Sequence, residues 1–264
     1  MPRLTKEQIK NKLKYHYKAF DRTTISPDPL EFPHRFESTP DIEIAAFISS
    51  VFAFGNVTQI VNTLEKIFEI MENEPFNFVS EYNIKKEGKL FKNLKHRFYT
   101  GDDIAALFAG LKKIYEVYGS LNYLFLLYYF EKAENIKGAL SFFSRNLYTI
   151  VSKEGKYHSD GIKFMFPDPW KGSACKRQNL FLRWMIRKDE LDFGLWKEIP
   201  PSKLVIPVDT HIAQISKYLK LTKRKNVSWS MAEEITNNLK KFDPNDPVKY
   251  DFALCHIGMR KLKF

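Results

Sequence analysis

The stretch Lys171–Ile215, KGSACKRQNLFLRWMIRKDELDFGLWKEIPPSKLVIPVDTHIAQI, decides how this chain is read. It opens on a short polar turn, Gly172-Ser173-Ala174-Cys175, which delivers Lys176 to the start of an apolar run. In that run Leu180, Phe181, Trp184 and Met185 recur at helical spacing. The stretch closes on Pro207-Val208-Asp209-Thr210-His211, where an aspartate stands before a second helical pattern and fits the N-cap position. One amine and one carboxylate thus sit at the starts of two successive helices. A turn of small residues entering a helix offers backbone N–H groups and the positive end of a dipole, a setting that favours a phosphate. A lysine there opposes the dipole, and against an apolar helix it can shed solvation, which frees its amine as a nucleophile.

Outward from this stretch the pattern is helical. Thr5 caps a helix to Phe20, and a proline-punctuated loop runs from Asp21 to Pro40. Asp41 caps the apolar segment IEIAAFISSVFAF, which Gly55-Asn56 breaks before a second helix, Thr58 to Met71. Asp102 caps DIAALFAGLKKIYEVY, stopped at Gly119. Ser120 or Asn122 opens the next helix, and another spans Ile136 to Val151. Lys153 to Lys171 reads as a loop. Ser228 caps WSMAEEITNNLKKF, and Asp246-Pro247 starts a last helix that ends at Gly258, before a basic tail. Leu204 to Val208 (LVIPV) is strand-like but isolated, and no 20–50-residue repeat is present. The expected fold class is all-α, with roughly ten helices.

Composition bounds the function. The chain has 264 residues, 44% hydrophobic and 15% aromatic, enough for one large domain or two small lobes. Its net charge of +11 favours a polyanionic partner, although a lysine-rich surface accounts for the charge as well. No segment reaches the roughly 20 apolar residues of a membrane span, so no membrane partner is expected. Cys175 and Cys255 form no CxxC and no metal-ligand spacing, and His34, His158 and His256 show none either. Neither a metal nor any other cofactor is expected. The expected location is the cytoplasm, and the expected state a monomer.

Gly172-Ser173-Ala174-Cys175-Lys176, the apolar helix behind it and Ile206-Pro207-Val208-Asp209-Thr210-His211 resemble the signature of the helix-hairpin-helix DNA glycosylase superfamily. That superfamily carries a Gly-x-Gly-x-Lys hairpin, then a helix, then Pro-Val-Asp. Asp41 to Phe68 resembles its early helical hairpin, and Phe252 to Gly258 its late helix. The resemblance implies one helix-hairpin-helix unit over 1–264, with lobes at 41–151 and at 1–40 plus 152–264. It implies Lys176 as a Schiff-base nucleophile and Asp209 as the group that assists base loss. Asp209 lies 33 positions after Lys176, a separation similar to that of the archaeal 8-oxoguanine glycosylase branch. The insert, about Lys188 to Lys203, carries Leu191, Phe193, Leu195 and Trp196 and should pack. The whole chain also resembles an uncharacterised bacterial family. Two departures stand out: Ala174 replaces the second hairpin glycine, and the cysteine cluster of the endonuclease III branch is absent, so no iron–sulfur cluster is implied.

The activity this resemblance implies is base-excision repair by a DNA glycosylase with AP lyase activity, acting on duplex DNA with a damaged base, 8-oxoguanine first. The basic surface would hold and bend the duplex, and a flipped nucleotide would enter a pocket between the lobes. Phe52, Phe54, Trp170 and Trp184 are candidates to stack on it, though each is better suited to a plain core. Asn56 or Gln59 could fill the gap left in the duplex, though either one alone better suits an ordinary polar helix start. Gly172, Ser173, Ala174, Arg177 and His211 are the remaining DNA contacts of this reading, although His211 better suits a solvent-facing or packed position. Arg183 and Arg187, four apart on one helix face, suit phosphate contacts or a salt-bridged surface. Lys223-Arg224-Lys225 suits a solvated loop. Two readings compete with the enzyme: a non-catalytic helix-hairpin-helix protein that binds nucleic acid, and an all-α scaffold with a basic surface. The pairing of Lys176 with Asp209 favours the enzyme.

Overall fold

A computed structural model describes residues 5–259; the basic tail, 260–264, lies outside the described residues. These residues fold into twelve α-helices with short 3-10 turns between them, an all-α structure. No β-strand is present among the described residues, and LVIPV pairs with no strand there. The antiparallel bridges His96–Tyr99 and Lys188–Phe193 are isolated.

The helices group into two compact units. The first comprises residues 26–133 and 137–168. It holds α2 (Thr39–Phe52), α3 (Val57–Ile70), α4 (Pro75–Glu81), α5 (Gly101–Tyr118), α6 (Leu121–Leu126), α7 (Lys137–Gly155) and α8 (Asp160–Met165). Helices α5 and α7 pack closely because glycine faces both ways: a Cβ on Gly110 would fall 2.4 Å from Val151 Cγ2, and one on Gly155 2.5 Å from Ala106 Cβ. Glu43 is buried on α2, where its carboxylate accepts from Tyr115 Oη at 2.6 Å and from the backbone N–H of Leu121 at 2.8 Å. Burial, then the Glu43 charge, holds the Tyr115 hydroxyl well above its ordinary pKa.

This unit reaches further at both ends than the expected 41–151. Leu30 is fully buried and Phe32 stacks on Phe68 at 5.1 Å between ring centroids, so the proline loop from residue 26 belongs to this core. Beyond residue 151, α7 continues to Gly155. The expected loop contains α8, capped by Ser159, whose hydroxyl also donates to Asp103. Two expected caps move. Ser38, not Asp41, caps α2, because Pro40 sits in the first turn where its missing N–H is harmless. Thr100, not Asp102, caps α5 in a capping box with Asp103.

The second unit comprises the described parts of 1–25, 134–136 and 169–264. It holds α1 (Lys6–Tyr17), α9 (Lys176–Ile186), α10 (Thr210–Tyr218), α11 (Trp229–Leu239) and α12 (Asp251–Met259). Thr5 and Ser228 cap α1 and α11 as expected. Helix α12 packs on α10 and α1. It starts at Asp251, not at Asp246-Pro247, and contains Gly258 instead of ending there. The Asp246 carboxylate is instead held by the Arg187 guanidinium, with an Nε–Oδ1 distance of 2.8 Å. The insert packs: Leu191 and Trp196 are buried, and Trp196 donates its backbone N–H to Met185 at 2.9 Å.

Candidate active site

The turn before α9 is built by local backbone demands. Gly172 takes φ +85°, its N–H donates to Pro169 at 3.0 Å, and its carbonyl accepts from the Trp229 N–H at 3.0 Å. Only glycine adopts that φ without strain. The second left-handed residue is Cys175, at φ +48°, so Ala174 is spared the conformation that alanine resists. Asn179 closes the turn by donating Nδ2 to the Ala174 carbonyl at 3.0 Å. Cys175 supplies no side-chain cap, and Lys176 is the first residue of α9.

Asp209 arrives from the other side. Pro207 and the buried Ile206 and Val208 lead into it, and the Ile206 N–H is held by Thr236 Oγ1 at 3.0 Å. Asp209 caps α10: its Oδ1 accepts from the N–H groups of His211 and Ile212, both at 2.9 Å. That leaves Oδ2 turned to Lys176 Nζ, 3.5 Å away. Cys255 Sγ, from α12, stands 4.0 Å from the same oxygen. The two side chains are 31% and 22% exposed, so the pair is reachable from solvent yet partly desolvated. The separation exceeds the 2.7–2.9 Å or so of a tight charge-assisted hydrogen bond, so this contact is an ion pair longer than a direct hydrogen bond.

Behind the pair lies an ionic network that the sequence reading places at the surface. Arg183, two turns along α9 from Lys176, is 2% exposed. It donates Nη1 to Asp251 Oδ2 at 2.5 Å and Nη2 to Asp192 Oδ1 at 3.2 Å. Arg187 donates to Asp192, to Asp189 at 2.8 Å and to Asp246. Both arginines are buried by partners from the insert and from the segment around α12, which removes them as phosphate contacts. Burial alone would lift the Asp189 carboxyl, but Arg187 outweighs it and holds the pKa at about 2. Asp251 goes the other way. Full burial pushes it up to about 6, Arg183 pulls against that, and the Asp209 charge adds to the rise. Asp251 Oδ1 has no hydrogen-bond partner.

The other expected site residues divide by exposure. Trp184 and Phe52 are fully buried, which makes both core residues and removes them as base-stacking surfaces. Arg177 is 7% exposed, and burial lowers its pKa to about 9, so it is no open phosphate contact. Trp170 is 62% exposed. His211 is half-buried in the first turn of α10. In the other unit Asn56 caps α3, its Oδ1 accepting from the N–H groups of Thr58 and Gln59. Phe54 lies in a surface cluster that the sequence reading missed: it meets Phe164 edge-on at 5.1 Å and stacks parallel to Phe98 at 6.3 Å, with the Arg97 guanidinium 5.4 Å from the Phe98 ring. Phe98 is 57% and Phe164 40% exposed. The signal was FYT beside a basic run, without helical periodicity to mark it.

No group of three or more metal-ligating side chains occurs among the described residues, and no helix there is long and apolar enough to cross a membrane. Neither a curated protein nor a solved structure matches the chain. The family described as "Protein of unknown function (DUF2400)" matches residues 28–260, in keeping with the whole-chain likeness to an uncharacterised family, and the chain belongs to it.

Proposed function

We propose that the chain is a DNA glycosylase with AP lyase activity, in which Lys176 is the nucleophile and Asp209 its carboxylate partner. One observation carries this: Lys176 Nζ stands 3.5 Å from Asp209 Oδ2, with both side chains part-exposed at the starts of α9 and α10. The chemistry follows from the pair. A lysine must lose a proton to attack, and Asp209 Oδ2 is an acceptor within reach. The amine lone pair forms a bond to C1′ of the sugar as the glycosidic bond breaks, and the base leaves with the bonding electrons and takes up a proton. Asp209 supplies that proton, the one it accepted from Lys176, and the carboxylate so restored stabilises the positive charge that grows on the sugar. Ring opening gives a Schiff base at Lys176, and loss of the C2′ proton expels the 3′ phosphate. The net charge of +11 supports a DNA partner, and the Arg97-capped aromatic cluster offers faces on which bases stack. The choice of 8-oxoguanine as first substrate rests on the likeness to the archaeal branch.

The test is borohydride trapping on end-labelled duplexes carrying 8-oxoguanine, uracil, thymine glycol or an abasic site, beside Lys176→Gln. A covalent complex that disappears in the variant is the expected result. Salt-sensitive DNA binding without trapping on any of them would overturn the lysine mechanism and leave the non-catalytic binder.

A further inference from the structure

A groove of about 1110 Å³ opens between α1, the C-terminal end of α10 and the end of α11. It lies away from Lys176 and Asp209, because Asp209 caps the N-terminal end of α10 and Tyr218 is at the other end, nine residues or about 13 Å along the helix. Five lysines line it: Lys6, Lys10 and Lys14 on α1, then Lys220 and Lys241. Glu7 is the one acidic residue in the lining. None of the five lysines has a carboxylate partner among the described residues; Lys241 Nζ donates only to Asn238 Oδ1, at 2.7 Å. Lys6, Lys10 and Lys14 recur every fourth residue along one stripe of α1, about 6 Å apart. Between the charges the lining is apolar: Ile9 and Phe242 are half-buried, and Tyr218 is 51% exposed.

We propose that this groove is a docking site for an acidic peptide segment that carries apolar side chains, supplied by another protein. Three features select that occupant. The volume exceeds the 300–1,000 Å³ or so typical of small-ligand pockets, so a polymer segment fits better than a metabolite. The five lysines outnumber the one acidic residue, Glu7, and none of them is paired to a carboxylate among the described residues; repulsion among neighbouring lysines is relieved by carboxylates at matching spacing. The apolar lining calls for side chains that a phosphodiester backbone lacks, and no arginine, the residue suited to bidentate phosphate contacts, faces the groove. The twelve residues of α1 give a wall about 18 Å long, the reach of five or six extended residues. The proposal does not depend on the chemistry assigned to Lys176.

The test is fluorescence anisotropy of the full chain with a labelled nonapeptide in which aspartates alternate with leucine and phenylalanine. A copy with serine at every apolar position and a single-stranded oligonucleotide of equal length serve as companions. Lys10→Glu/Lys14→Glu should weaken the first peptide about tenfold, and Phe242→Ser should do so without changing the net charge. Lys85→Glu/Lys86→Glu, the same charge change in the other unit, should leave binding within about twofold. All these positions except Phe242 are exposed, and unchanged thermal unfolding confirms that each variant is folded. Three results would each overturn the proposal: equal binding of the serine peptide, indifference to the α1 charge reversal, or an oligonucleotide whose binding depends on these lysines more than the peptide's does.

Discussion

Arg183→Met tests whether the buried network is what holds α9 against α12. The guanidinium is shared by two carboxylates that are themselves buried, Asp192 and Asp251. Asp192 keeps Arg187 when Arg183 is lost, whereas Asp251 Oδ2 loses Nη1, and its Oδ1 has no hydrogen-bond partner to begin with. Methionine replaces the stem but not the charge. Breaking a buried pair by removing one partner costs about 3–5 kcal/mol. The loss also has a pH signature. Burial already raises the Asp251 carboxyl to about 6 against the pull of Arg183, so without Arg183 it rises further. In the variant, keeping a proton on that carboxyl above this pH costs about 1.4 kcal/mol per pH unit. The difference from wild type should therefore be larger at about pH 8 than at about pH 5, by up to about 3 kcal/mol. Urea unfolding followed by tryptophan fluorescence measures it, since Trp184, Trp196 and Trp229 are all buried in the same unit. Adding Asp251→Asn to the variant should recover at least half of the loss at the higher pH. A loss below about 1 kcal/mol, or one that is the same at both pH values, refutes the reasoning.

Asp251→Asn alone isolates the raised carboxyl. Its folded pKa, about 6, lies above the ordinary carboxylate value, so its stabilising contribution is complete below about pH 4 and is lost as pH climbs through 6. Asparagine cannot ionise, so relative to wild type the variant should gain about 3 kcal/mol between about pH 4 and pH 8; a constant offset across that window in urea melts counts against the burial argument. At Asp209 structure and chemistry separate: alanine removes the α10 cap and about 1 kcal/mol, while asparagine keeps the cap. Both remove the charge beside Lys176. Both should therefore abolish borohydride trapping, and thermal unfolding should distinguish them.

Local signals were legible and long-range ones were not. Thr5 and Ser228 were readable as caps, and Ser120 as one of two candidates with Asn122, because a cap needs only its own side chain and an N–H two or three residues on. Asp41 and Asp102 misled because they are acidic and precede apolar runs, but in both cases a hydroxyl residue two or three positions earlier had already started the helix, at Ser38 and Thr100. Helix α8 was missed because six residues show too little periodicity to stand out. The burial of Arg183 could not be read at all. Its partner Asp251 is 68 positions away, and an arginine four residues from another arginine looks the same whether it meets water or an aspartate. The juxtaposition of Lys176 with Asp209 was anticipated only through the hairpin likeness, since no spacing rule brings residues 33 apart into contact.

The network and the pair belong to one argument about position. A turn such as Gly172–Cys175 sets the direction in which α9 leaves, but it leaves the helix free to roll about its axis. Rolling is stopped further along: Arg183 ties α9 to Asp251 at the start of α12, and α12 packs on α10, the helix that Asp209 caps. Arg187, at the end of α9, adds Asp189 and Asp192 from the insert and Asp246 from the segment before α12. Lys176, Arg183 and Arg187 are spaced by seven and four residues, near whole turns, so they share one face of α9. The face that is ionically clamped is thus the face that presents the amine. A slack α9 would let Nζ swing away from Asp209 Oδ2 on a flexible four-carbon stem; the clamp confines it to a carboxylate 3.5 Å away. Buried ion pairs contribute little net stability compared with apolar packing, and their better-attested effect is to select one arrangement over its neighbours. Six charged side chains behind the pair make most sense as a device for fixing geometry.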